Sequence, residues 1–199
     1  MSYEGHPYSN AAPVDFEIII NGGGEGQTNY TTSQGGTGIE DYLHSIENAF
    51  GGDGDDLLMG GGGLDTINGE GGNDTVSYAT HPGAVSFTVS ISESGYGTAY
   101  YHLSGGGTGV EDYLGDIENV IGGVGNDLVT FTGVVDNRLE GGAGNDTLNG
   151  GGGGDMIDGG DGFDTASYDG SASRVNVQLQ YGVALSGDAQ GDTLANIEI

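Results

Sequence analysis

The sequence predicts an all-β solenoid in which short coils stack one upon another. Three observations predict it. Nine-residue units of the pattern G-G-x-G-x-D-x-U-x, with U aliphatic, run without a gap as Gly141–Asn149, Gly150–Asp158 and Gly159–Ser167. A fixed short period is the signature of a repeat architecture. Apolar residues alternate at Phe16, Ile18 and Ile20, at Phe87, Val89 and Ile91, and at Val175, Val177 and Leu179, which marks half-buried strands. No stretch sustains a helical period of 3.6.

Taken in order, the chain alternates two kinds of segment. Residues 1–45 read as a linker, 46–77 as a first block of nonapeptides, 78–116 as a second linker, 117–167 as a second block and 168–199 as a third linker. These boundaries are cuts in one continuous solenoid. The first block holds Gly51–Met59, Gly60–Asn68 and Gly69–Ser77, with Glu70 in a glycine place. The second opens with Gly122–Thr130, then carries an extra residue, Phe131, and a degenerate unit, Thr132–Glu140, with Asn137 in the aspartate place.

The linkers also repeat. Each begins on a Ser-Tyr pair (Tyr3, Tyr78, Tyr168), continues with the alternating strand and a Gly-rich turn, and closes on Ile-Glu at 46, 117 and 197. The closing element keeps the nonapeptide phase and puts Glu47 and Glu118 in the aspartate place, so it reads as the first rung of each block. A short helical turn at Glu40–Leu43 and Glu111–Leu114 is the alternative there. Both chain ends fall inside a repeat, as expected of a piece of a longer array.

Composition narrows the function. Glycine supplies 45 of 199 residues, about three times its ordinary share, and no Gly-X-Y period with proline accompanies it. Thirty acidic residues face two arginines and no lysine, for a formal charge of −28. Such a chain repels itself when compact, and it offers neither nucleic acid nor an anionic membrane the cations they need. There is no cysteine, no apolar run of membrane-spanning length, and no basic, apolar leader at Met1–Asn10. No nucleophile elbow or positioned triad is found, and the phosphate loop lacks its lysine, so no enzyme is expected.

The physics of nine residues then points to a metal. The x-U-x end is extended, the glycines turn the chain, and two units make one coil, so unit n lies on unit n+2 about 4.8 Å away. One aliphatic side chain per strand is a thin core: Leu58, Ile67, Val76, Val129, Leu139, Leu148 and Ile157. At about 25 cal/mol per Å² it cannot offset roughly 1–2 kcal/mol of backbone entropy per residue. The aspartates stack at the turns and repel one another. A hard cation wanting six to eight oxygens at about 2.3–2.6 Å would join them, which suits calcium better than magnesium or zinc.

The units resemble those of the repeats-in-toxin (RTX) family of secreted bacterial proteins. The resemblance implies a right-handed parallel β-roll with several Ca2+ ions between turns n and n+2, interrupted here by wider, strand-bearing linker coils. It also implies type I secretion and folding outside the cell, at an extracellular or surface location. Carried over residue by residue, it pairs Asp56 with Asp74, Asp127 with Asp146, Asp146 with Asp164, and Asn137 with Asp155, and Glu47 with Asp65. The unit-opening glycines Gly51, Gly60, Gly122, Gly141, Gly150 and Gly159 supply turn carbonyls. Phe131 shifts the register beside Asp127, and Asn137 removes a charge.

Other features take plainer readings. His6-Pro7 and His81-Pro82 are a repeated turn, and Tyr3, Tyr78 and Tyr168 are packing pillars. Tyr30 and the pair Tyr100-Tyr101 are candidates for a ligand. Two further roles are open: end-to-end self-association into a filament or surface layer, and adhesion to extracellular polysaccharide.

Overall fold

The computed structural model describes residues 15–20, 26–31, 37–43, 48–81, 86–103 and 106–198, the first three segments as strands alone. The first linker forms β1 (Asp15–Ile20), β2 (Gly26–Thr31) and β3 (Thr37–Leu43). The first block forms β4 (Asn48–Gly52), β5 (Leu57–Met59), β6 (Asp65–Glu70) and β7 (Thr75–Ser77). The second linker forms β8 (Ser86–Ile91), β9 (Gly97–His102) and β10 (Thr108–Gly115). The second block follows as β11 (Asn119–Val124), β12 (Leu128–Phe131), β13 (Arg138–Ala143), β14 (Thr147–Asn149), β15 (Met156–Asp161) and β16 (Thr165–Ala166). The last linker gives β17 (Val177–Gln178), β18 (Val183–Ala184) and β19 (Thr193–Ala195).

These strands build two mixed sheets, an arrangement consistent with a β-roll. One has eleven strands in the order β17-β18-β19-β15-β13-β11-β7-β5-β1-β2-β3. The other has eight, in the order β16-β14-β12-β8-β9-β10-β6-β4. Successive nonapeptide strands alternate between the sheets, so each pairs in parallel with the strand two units on. Leu58 lies beside Val76, Leu139 beside Ile157 and Leu148 beside Ala166. Every aliphatic place from Leu58 to Ile157 is fully buried between the sheets. The pattern is the pleat at work: U faces in, its neighbours face out.

The linkers depart from the expectation of wider coils. Each is a three-stranded antiparallel meander spliced into one sheet. β8, β9 and β10 pair antiparallel in turn, while β8 lies parallel to β12 and β10 parallel to β6. β1-β2-β3 and β17-β18-β19 also pair antiparallel in turn, at the two ends of the eleven-stranded sheet, where β1 lies parallel to β5 and β19 parallel to β15. The physical reason is local. A Gly-rich turn of a few residues lets a strand pair at once with its predecessor, and a hairpin satisfies more backbone than a lone wide loop.

The alternative of a helical turn at Glu40–Leu43 and Glu111–Leu114 does not hold: both stretches are strand, within β3 and β10. In the third linker the alternation at Val175, Val177 and Leu179 yields only the two-residue β17, because Leu179–Tyr181 turns as a 3-10 helix. Phe87, Val89 and Ile91 are buried as the alternation requires.

Candidate metal centre

Each nonapeptide places its aspartate just before or at the start of a strand, at the mouth of a turn. The carboxylates therefore stand in two columns, one along each sheet. The stacking is direct. Asp74 Oδ1 accepts the backbone N–H of Asp56 at 2.8 Å, Asp146 that of Asp127 at 2.7 Å, Asp164 that of Asp146 at 2.8 Å, and Asp155 that of Asn137 at 2.9 Å. Four of the five sequence-paired couples are thus neighbours. Glu47, the fifth couple's partner for Asp65, lies outside the described residues. The extra Phe131 does not break the Asp127–Asp146 couple. The chain absorbs it, and Val129 still lies beside Leu148, 19 positions on.

One oxygen of Asp74, Asp146, Asp155 and Asp164 is so used, and Asp127 Oδ1 likewise accepts the N–H of Phe87. The Oδ2 atoms of Asp74, Asp127, Asp146, Asp155 and Asp164 are buried and have no hydrogen-bond partner among the described residues. A buried, unpaired carboxylate oxygen is costly. Burial accordingly pushes Asp74 and Asp127 up to about 7 and Asp155 to about 6, against an ordinary 3.8, with partial relief from the accepted backbone N–H groups. Burial also raises Asp146.

The turn glycines line the same place with carbonyls. A Cβ on Gly141 would sit 2.3 Å from the Oδ2 of its own Asp146 and 2.5 Å from the carbonyl oxygen of Gly159, one coil on. The arrangement recurs at Gly51, with Asp56 and the carbonyl of Gly69, and at Gly122, with Asp127 and the carbonyl of Gly141. A second glycine serves closeness. Gly144, at φ +143°, would drive a Cβ to 1.6 Å from the carbonyl oxygen of Gly125. Only glycine permits coils this close.

Several participants were not visible as such in the pattern. The fifth residue of a unit, written x, holds the next coil: Asp55 Oδ1 accepts the N–H of Asn73, Asn126 that of Asn145, Asp136 that of Gly154 and Asn145 that of Phe163. The enrichment of Asp and Asn at that place was the available signal. The closing elements also join the columns. Glu118 accepts the N–H of Asp74, Glu198 that of Asp164, and Asp192 that of Asp155. Glu118 therefore occupies an aspartate place, as its phase predicts. Asn137 instead turns its Nδ2 to the carbonyl of Glu118.

Among the described residues no group of three or more Asp, Glu, His or Cys side chains gathers at one point. The cradles at Gly51, Gly69, Gly122, Gly141 and Gly159 offer carboxylate plus backbone carbonyl. That donor set is all oxygen, and it fits a large hard cation rather than zinc. The family model for the RTX calcium-binding nonapeptide repeat, in four copies, matches residues 47–79 and 131–166. Over those residues the chain carries an RTX-type calcium-binding repeat module. The RTX repeat is a non-catalytic structural motif. No curated protein matches the chain. No helix among the described residues is long and apolar enough to cross a membrane.

The remaining sequence candidates separate clearly. Tyr78 is a pillar: it is buried and stacks on Phe87 at 4.5 Å between ring centroids. His81 makes the expected turn, its N–H donating to the carbonyl of Tyr78, but its ring also meets Glu111 at 2.5 Å. Tyr100 faces solvent and Tyr101 packs against the core, as alternation along β9 requires. His6, Tyr3 and the side chain of Tyr30 lie outside the described residues.

Proposed function

We propose that the chain is a calcium-folded β-roll module of a secreted or cell-surface bacterial protein. One observation carries this: the buried Oδ2 atoms of Asp74, Asp127, Asp146, Asp155 and Asp164 have no partner among the described residues, and all but that of Asp155 lie beside a backbone carbonyl at the unit-opening glycine. Without a cation those oxygens and a formal charge of −28 oppose compaction. With calcium, Asp56, Asp65, Asp74, Asp127, Asn137, Asp146, Asp155 and Asp164 ligate from the columns, and Gly51, Gly60, Gly122, Gly141, Gly150 and Gly159 add turn carbonyls. Folding then waits for calcium. That suits passage through a low-calcium cytoplasm and folding outside, where affinities of about 10⁻⁴–10⁻³ M suffice. Chelator should remove most of the β-signal in circular dichroism and millimolar calcium should restore it. Identical spectra with and without calcium would sink the proposal.

A second reading adds adhesion to a polysaccharide. Tyr96, Tyr100 and Tyr113 are 59%, 41% and 51% exposed, and they lie on β9, on β10 or in the β8–β9 turn. Exposed aromatic rings on a rigid sheet suit sugar faces. A glycan array probed in calcium tests this, and a blank array removes it.

A further inference from the structure

The second linker contains a carboxylate pair that the nonapeptide pattern does not explain. Glu111 and Asp112 are adjacent in β10, yet both are buried, at 2% and 1% exposure. Adjacent residues of a regular strand face opposite sides. The cause is a β-bulge: Val110 pairs with Tyr100 and Asp112 with Ala99, leaving Glu111 extra. Bulges re-aim side chains. The first linker repeats the device, since Ile39 pairs with Asn29 and Asp41 with Thr28, leaving Glu40 extra.

The bulge aims Asp112 at the turn of the unit Gly60–Asn68. Asp112 lies beside Asp65 in register, where the next aspartate of that column belongs. A Cβ on Gly60 would sit 2.9 Å from Asp65 Oδ2 and 3.0 Å from Asp112 Oδ1. At Gly51, Gly122 and Gly141 the same place holds one carboxylate oxygen and one backbone carbonyl. Here a second carboxylate replaces the carbonyl. Both oxygens of Asp112 are buried without a hydrogen-bond partner of ordinary geometry, although the Tyr78 hydroxyl and the Asp65 backbone N–H lie close. Glu111 holds the turn in place: its Oε1 accepts the Gly63 N–H at 3.3 Å and meets His81 Nε2 at 2.5 Å. Asp192 takes the equivalent place in the third linker, but its Oδ2 accepts the Tyr168 hydroxyl at 2.9 Å. The inference is therefore confined to Asp112.

We infer that Asp112, outside the nonapeptide repeats, completes a calcium site with Asp65 across the junction of linker and first block. This rests on the calcium reading of the repeats. The site ties the spliced meander to the coil it interrupts.

The test counts calcium bound per chain by equilibrium dialysis for the wild type and for Asp112→Ala, which leaves no side-chain oxygen to ligate. Circular dichroism in calcium reports the fold. The expected result is one ion fewer in Asp112→Ala with the other ions retained. An unchanged count in a folded variant overturns the inference and leaves the repeat reading intact. A wild type that binds no calcium overturns both. Should Asp112→Ala fail to fold, crystals of the wild type grown with terbium decide by anomalous scattering. A peak between Asp65 and Asp112 supports the site. Its absence, with peaks at the nonapeptide turns, overturns it.

Discussion

A single aspartate in this chain does two things at once. Its Oδ1 ties two coils by accepting a backbone N–H, and on the proposed reading its Oδ2 takes a cation. Burial raises Asp74, Asp127 and Asp155 well above 3.8. Between the ordinary value and about 6–7, the folded chain without calcium therefore binds more protons than the unfolded one. Stability then falls as pH rises. It is fully present below about pH 4 and lost as pH climbs through 6 and 7. In chelator, the β-signal should grow as pH falls from 8 to 5, whereas in millimolar calcium it should stay flat. Calcium uptake near pH 6.5 should also release protons, which a weakly buffered pH-stat would record. Asn137 is the natural exception, lacking a charge and donating to the Glu118 carbonyl. Asn137→Asp restores a ligand and removes that donor. Calcium should bind its site about tenfold tighter, because ligand charge sets affinity in such sites. The calcium-free form should be less stable. An isothermal titration showing no tighter class of site would count against Asn137 as a ligand position.

At the scale of elements, the turns show which parts of the structure the letters could carry. The opening glycine, the aspartate and the buried aliphatic were all legible, because each is forced by contact within its unit or with the unit 18 residues on. The linker strands were legible as strands but not as meanders. Alternation in Phe87, Val89 and Ile91 says which face is buried and is silent on which strand lies alongside. The bulge at Glu111 was invisible for the same reason, since it is a mismatch between two strands. Glu70 illustrates a departure that the letters did expose. It holds φ 71° where the other units have glycine, a left-handed conformation that costs an ordinary residue about 1–2 kcal/mol. Glu70→Gly should raise the stability of the calcium-loaded chain by about 1 kcal/mol, part of the relief being offset by glycine's greater freedom when unfolded. A denaturation midpoint that falls instead would show that Glu70 contributes an interaction larger than its strain.

Across the whole molecule, the spliced meanders alternate between sheets: eleven-stranded, then eight-stranded, then eleven-stranded again. The count of nonapeptides enforces this. Three units separate the first two linkers and five separate the next two. Each unit is half a coil, so an odd number carries the chain to the opposite sheet before the next linker begins. The alternation has a mechanical consequence. At the second linker, β9 and β8 stand between β10 and β12, while β11 lies directly between β7 and β13. The eight-stranded sheet is longer there by two strands, about 10 Å at the usual spacing. The other two meanders add their strands to the opposite sheet, at its two ends, and so do not lengthen the eight-stranded sheet further. Deleting one unit, Gly150–Asp158, would put the second and third meanders on the same sheet and stack Asp164 on Asn137. Deleting two, Gly141–Asp158, keeps the parity although it removes two fully buried core residues, Leu148 and Ile157. The larger deletion should therefore be the milder one. In millimolar calcium it should unfold in a single transition at a higher temperature than the nine-residue deletion. If the shorter deletion proves the more stable, the coils tolerate consecutive meanders on one sheet, and the odd unit counts have no structural role.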